Sequence, residues 1–138
     1  MGFALLHTET ASFDPPNGPR GFMRHVFFDA GQDEAIAFFD IHDVGEKPDW
    51  RSDVSTGNGL PVWVNHCAFA ATHAQQDETK ARMALHGVKP LMEIDHGWCH
   101  SVYFLDPNGI MVELCRDTPG MPVDSDLAHS LLTAAPGA

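Results

Sequence analysis

The chain is poor in basic residues, carrying eight Lys and Arg against nineteen Asp and Glu, for a net charge of -11. That balance argues against nucleic acid, whose binding rests on neutralising phosphates, and against anionic membrane surfaces. No apolar run approaches the roughly 20 residues needed to span a bilayer. The N-terminal MGFALLHTET lacks a basic n-region and a small-residue cleavage site, so a secretory signal is not expected. Three cysteines, Cys67, Cys99 and Cys115, form no CxxC pair. Both a disulfide framework and a structural zinc site are therefore disfavoured, and reduced thiols in a cytoplasmic protein are expected. Absent too are a P-loop, GxGxxG, GxSxG and HExxH, which leaves nucleotide-binding, serine-hydrolase and zincin readings without support.

What is present is an ordinary globular composition over 138 residues, with 43% hydrophobic residues and a high count of nine histidines. The length suits one compact domain or two small modules sharing a core. GFALLHTETASF is strand-like and is followed by the turn-forming DPPNGPRG. The next segment predicts two strands, Met23–Asp29 and Ala35–Ile41, around a polar AGQDE loop. Residues 42–60 have no hydrophobic period and read as a linker or lid.

From Pro61 the pattern tightens. PVWVNHCAFA predicts a strand, and THAQQDETKARMALHGV a helix with Ala74, Ala81, Ala84, Leu85 and Val88 on one face and Gly87 placed to stop it. PLMEID predicts a short strand. CHSVYFLD and IMVELCR predict two more, joined by the strong turn chemistry of PNG. The order over 61–117 is β-α-β-β-β, and the tail holds one short helix after Asp124 or Asp126. HVFFDAGQDEAIAFFDI echoes HSVYFLDPNGIMVELCR: His, aromatic strand, acidic turn, apolar strand. The domain reading is a partial first module over 1–44, a linker over 45–60, a complete module over 61–118 and a tail over 119–138.

Strand alternation locates the chemistry. Glu113 shares a face with Met111 and Cys115, whereas Ile110, Val112 and Leu114 form an apolar face suited to packing on the helix. His66 shares a face with Ala68 and Ala70. Both side chains then project from the uncovered face, where a neutral imidazole and a carboxylate are two donors for a divalent transition metal. His25 and His100 compete for a third place, each as ligand, as an orienting partner of a ligand, or as an acid/base near its working pH. Tyr103 reads either as a hydrogen-bond donor to substrate or as a packed aromatic. Asp95 and His96 read as a solvated turn at the pocket mouth, and Cys99 and Cys115 as filler.

VNHCAFA, a helix ending LHGV, and DHGWCHSVYFLDPNGIMVELCRD together resemble the vicinal oxygen chelate superfamily of glyoxalases, type I extradiol dioxygenases, fosfomycin-resistance thiol transferases and bleomycin-resistance proteins. The resemblance is close over 61–117, and 20–41 resembles the second half of a preceding module. It implies an α+β fold of βαβββ modules, the first truncated, with a curved mixed sheet forming a cup. It also implies a divalent metal, Fe2+ by preference over Mn2+, Zn2+ or Ni2+, held by His66 and Glu113. Phe39 matches Glu113 in the first unit and cannot bind metal, which favours two histidines and one carboxylate, with His25 or His7 as the other histidine or with a partner subunit completing the cup. The implied activity is extradiol dioxygenase-like, on a small substrate chelating through vicinal oxygens, with His100 and Tyr103 as catalytic groups. The alternatives are a metal-free sequestering protein of the bleomycin-resistance type, using Trp63, Trp98, Phe38 and Phe39, or a glyoxalase-like lyase or isomerase, or a thiol transferase. The implied assembly is a homodimer, with module swapping one form of it.

Overall fold

A computed structural model describes residues 2–14, 20–43, 49, 51–121, 124–132 and 134. The architecture is α+β, dominated by two open sheets. The first is a three-stranded antiparallel meander of β1 (Leu5–Phe13), β2 (Gly21–Gly31) and β3 (Glu34–His42). The second contains β4 (His66–Ala70), then β5 (Met92–Asp95), β6 (Cys99–Leu105) and β7 (Met111–Asp117), in the order β4-β7-β6-β5. Helix α1 (His73–Leu85) links β4 to β5, and α2 (Ser125–Leu132) closes the chain. The β-α-β-β-β order is as expected, and β1–β3 repeat the meander of β5–β7. On its outer edge β7 takes β4 in parallel. Among the described residues, the matching edge of β3 carries no strand.

Local chemistry explains the elements. The β2–β3 hairpin turns on Gln32 and Asp33, both at positive φ (54° and 62°), so the polar loop contracts to a tight two-residue turn of the primed type whose twist suits flanking strands. Between β6 and β7, Asp106 Oδ1 accepts the backbone N–H groups of Asn108 and Ile110, each at 2.8 Å, closing the PNG turn. Gly109 in that turn has φ 80°, and a Cβ there would lie 2.7 Å from the Asp53 side chain. The turn and the 51–60 loop therefore meet closely, and Ser52 Oγ donates to the Asn108 carbonyl at 2.8 Å. That loop has internal structure, with a 3-10 turn at Thr56–Asn58 and an Arg51–Asp53 ion pair. The Arg51 guanidinium, with the Thr56 hydroxyl behind it, pulls the Asp53 carboxyl down to about 2. The centre of the DPPNGPRG turn (15–19), part of the linker (44–48 and 50) and part of the tail (122–123, 133 and 135–138) lie outside the described residues.

Two expectations change. Val62–Val64 is a 3-10 turn, so the strand begins only at His66. Helix α1 is also rotated from its expected face: Gln76 and Thr79 are buried, while Ala74, Ala81 and Ala84 are exposed and Leu85 is 85% exposed. The reason is polar. Gln76 Nε2 donates to the carbonyls of both His100 and Leu114, each at 2.9 Å, and Lys80 Nζ reaches Glu93 at 3.2 Å. A side chain that satisfies two strand carbonyls is worth more under a helix than an alanine that satisfies none. Thr72 and Gln75 form a reciprocal capping box, and Gly87 (φ 72°) ends the helix. Among the described residues, every buried apolar side chain, from Cys99 and Val102 to Met111 and Leu114, lies in β6 or β7.

Candidate metal centre

The parallel β4–β7 pairing sets His66 opposite Met111 and Ala68 opposite Glu113, so the imidazole and the carboxylate stand on one face one step apart. His66 Nε2 lies 3.0 Å from Glu113 Oε2, with side chains 33% and 8% exposed. The other ring nitrogen, Nδ1, is 2.9 Å from the Trp63 carbonyl oxygen. A carbonyl only accepts, so Nδ1 carries hydrogen, and a neutral ring then presents the Nε2 lone pair to the carboxylate. Two lone-pair atoms at that distance need a shared proton or a cation between them. The 3-10 turn that replaces the expected strand start is what raises the Trp63 carbonyl beneath the ring.

The second carboxylate oxygen is held from the opposite side. Ser101 Oγ donates to Glu113 Oε1, and Cys99 Sγ lies 3.6 Å from Ser101 Oγ. Cys99, Glu113 and Cys115 bring their donor atoms within 4.8 Å of one another. Burial, with Cys99 alongside, pushes the Cys115 thiol up to about 11. Tyr103, directly opposite Glu113 across the β6–β7 ladder, is buried, and its hydroxyl is 3.0 Å from His96 Nε2. Burial is also the main reason that the Tyr103 hydroxyl titrates above its ordinary range. The ring of Tyr103 meets His66 edge-on, with centroids 6.3 Å apart. Glu113 is thus a buried carboxylate gripped on one oxygen by a hydroxyl and presented on the other to an oriented imidazole. Such a pair can hold a divalent cation or a proton.

The structure therefore brings together His66, Glu113 and Tyr103. His100 is not with them: alternation along β6 sends it to the helix side, opposite Arg116, where its Nδ1 is buried without a hydrogen-bond partner. His25 lies in the first sheet, opposite Phe39 and stacked on it at 4.0 Å with the ring planes 11° apart. His7, on β1, is exposed and 3.5 Å from Glu9. Since Phe39 is the match for Glu113, the ladder aligns His25 with Tyr103 and not with His100. Sequence reasoning passed over Ser101, set His96 in a solvated turn and took the two cysteines as filler. The signal available was the alternation Cys99-Ser101-Tyr103, which puts all three on the face of Glu113.

A family model described as the Glyoxalase/Bleomycin resistance protein/Dioxygenase superfamily matches residues 1–114. No curated protein sequence matches the chain. Among solved structures, a glyoxylase/bleomycin resistance protein/dioxygenase domain from Frankia sp. EAN1pec superposes with a TM-score of 0.51 at 16% identity, covering 81% of this chain and 76% of that one. At that identity the likeness is one of fold alone. A lactoylglutathione lyase from Agrobacterium tumefaciens gives a TM-score of 0.45 at 21% identity, covering 83% and 75%.

Proposed function

The chain belongs to the glyoxalase/bleomycin resistance protein/dioxygenase superfamily, and from that premise we propose that it is a metal-dependent enzyme, closest to extradiol dioxygenases, acting on a small molecule that chelates through vicinal oxygens. The observation that carries the reading is the orientation of His66, whose Nδ1–H is committed to the Trp63 carbonyl while Nε2 faces the buried Glu113 carboxylate. A metal-ligating histidine is commonly fixed in this way, its distal N–H tied to a carbonyl. The residues fit a divalent ion: His66 and Glu113 would hold it, and Ser101 fixes the carboxylate. The bound ion would supply Lewis-acid polarisation and a template for the substrate oxygens. Tyr103, donating or accepting with His96, is placed to hold a proton beside that position. The exposed rings of Trp63 and Trp98 offer flat walls for an aromatic substrate. The third protein donor is read as His25 of a second copy in a homodimer, a reading supported by the strandless edge of β3 among the described residues.

Metal analysis of protein purified without chelator, beside Glu113→Gln, tests the site. Retention of a stoichiometric divalent ion by wild type and its loss in the variant are expected. Equal metal content in the two would sink the assignment. Ring cleavage of catechols, measured against turnover of hemithioacetals, then separates the dioxygenase from the glyoxalase reaction.

A second reading draws on a different observation. An apolar cavity of about 470 Å3, lined by Phe3, Phe28, Phe38, Phe69 and Val112, lies between the two sheets. A metal-free protein that sequesters an aromatic ligand would use such a space. Wild-type protein that holds no metal yet binds aromatic ligands, with binding weakened in Phe38→Ala, would favour it.

A further inference from the structure

The two cysteines beside Glu113 belong to no step of the reading above, yet one is fully buried and the other half-buried on the face of the site. Cys99 is fully buried, and the sulfurs of Cys99 and Cys115 lie within 4.8 Å of each other and of a Glu113 oxygen. A buried and a half-buried thiol so close invite one of three explanations: a disulfide, plain core packing, or a shared ion.

The ladder excludes the first. Cys115 stands opposite Ser101, and Cys99 stands opposite Asp117, so the cysteines are diagonal neighbours on adjacent strands. Diagonal positions are roughly 7–8 Å apart, whereas a disulfide wants its Cα atoms within about 6.8 Å. Packing alone does not explain why both thiols converge on a carboxylate. An apolar residue at either place would fill the volume without facing a charge, and burying a carboxylate against weak S–H donors gains little. An ion satisfies all three groups at once. With Zn–S near 2.3 Å and Zn–O near 2.0 Å, tetrahedral donors stand about 3.7 Å apart, so the cluster needs to contract by only about 1 Å. Ser101 Oγ, bonded to Glu113 and 3.6 Å from Cys99 Sγ, already ties the carboxylate to this side.

The geometry points to a soft-metal site formed by Cys99, Cys115 and Glu113, distinct in its donors from the His66–Glu113 pair and sharing only the carboxylate with it. Thiolates select Zn2+, Cd2+ or Cu+ over Fe2+ and Mn2+. As the ion enters, each thiol passes its proton to solvent and becomes a ligand. Because Glu113 serves both pairs, occupation of the thiolate site draws the carboxylate from His66, and zinc would compete with a ferrous ion for the same residue.

Cobalt(II) added to the metal-free protein tests this, in a Cys67→Ser background that removes the exposed thiol. The expected result is a thiolate-to-cobalt charge-transfer band in the near ultraviolet with intense tetrahedral visible bands. Cys99→Ser and Cys115→Ser should each lose the near-ultraviolet band, Glu113→Gln should weaken binding at least tenfold, and His66→Ala should keep the band. The parent protein alone decides the question if a cysteine variant fails to fold: bound cobalt without a thiolate band overturns the proposal. Cobalt bound without that band but lost in His66→Ala would leave the function proposed above standing while this site falls. A thiolate band that survives both cysteine variants also overturns it. A thiolate band retained in His66→Ala, with no catechol cleavage by the iron-loaded wild type, would do the reverse.

Discussion

The two sheets are built from the same meander and have opposite fates. In the second, α1 covers one face, β4 covers an edge, and every buried apolar residue of the described chain lies in β6 or β7. In the first, Phe38, Phe39 and Ile41 are about half exposed, and Gly21 is the single buried position among the described residues. The place that holds Glu113 against Tyr103 in one sheet holds Phe39 stacked on His25 in the other. The same hairpin thus yields a buried polar site where a helix and a fourth strand support it. Where they are lacking, it yields an aromatic face. A carboxylate can be buried only where a hydroxyl and an imidazole are already fixed beside it, and fixing them takes the packing that the first sheet does not have.

The contrast can be broken most sharply with paired truncations. Phe104→Ala, in the core, should cost about 3–5 kcal/mol, and Phe39→Ala, on the first sheet, about 0.5 kcal/mol or less, both by urea denaturation. Equal costs would mean that the first sheet is covered in solution, as in a dimer. Gln76→Ala should come next, at about 1–3 kcal/mol, because it removes the two bonds that tie α1 to the His100 and Leu114 carbonyls. A change below 0.5 kcal/mol would show that α1 is not the element that seals the second sheet. Thr72→Ala removes half of the capping box and should cost about 1 kcal/mol, with the loss of helix signal confined to α1 in a hydrogen-exchange experiment. The smallest effect belongs to the loop between the sheets. Asp53 falls from its ordinary 3.8 to about 2 when folded, so its contribution is fully present above 3.8 and fades as pH drops toward 2. Asp53→Asn should flatten acid unfolding in that window, and an unchanged profile would show that the Arg51 contact does not persist in solution.

Much of the second sheet was legible. Its order followed from alternation, the PNG turn and the Gly87 stop, and the convergence of His66 with Glu113 followed from counting faces. The face of α1 was not legible, because hydropathy ranks alanine above glutamine. The value of Gln76 depends on where two strand carbonyls stand, and those strands begin 23 or more residues later in the chain. Nor was the role of residues 61–65, whose apolar content reads as strand although Val62–Val64 turns to set the Trp63 carbonyl under His66. The matching of His25 with His100 failed for a related reason: motif alignment counts from the histidine, whereas the ladder counts from the turn, and the two hairpins have turns of different length.

The sequence by itself determined the β-α-β-β-β order over 61–117, the acidic net charge, and the face on which Glu113 must lie. These follow from short-range periodicity and composition, which a single chain carries in full. Tertiary structure alone decided that Glu113 would be gripped by Ser101, that His66 would turn its Nε2 and not its Nδ1 to the carboxylate, and that the two cysteines would close on the same group. Those outcomes depend on distances of a few ångströms between strands remote in sequence. Side-chain direction and hydrogen-bond geometry, not residue identity, set them.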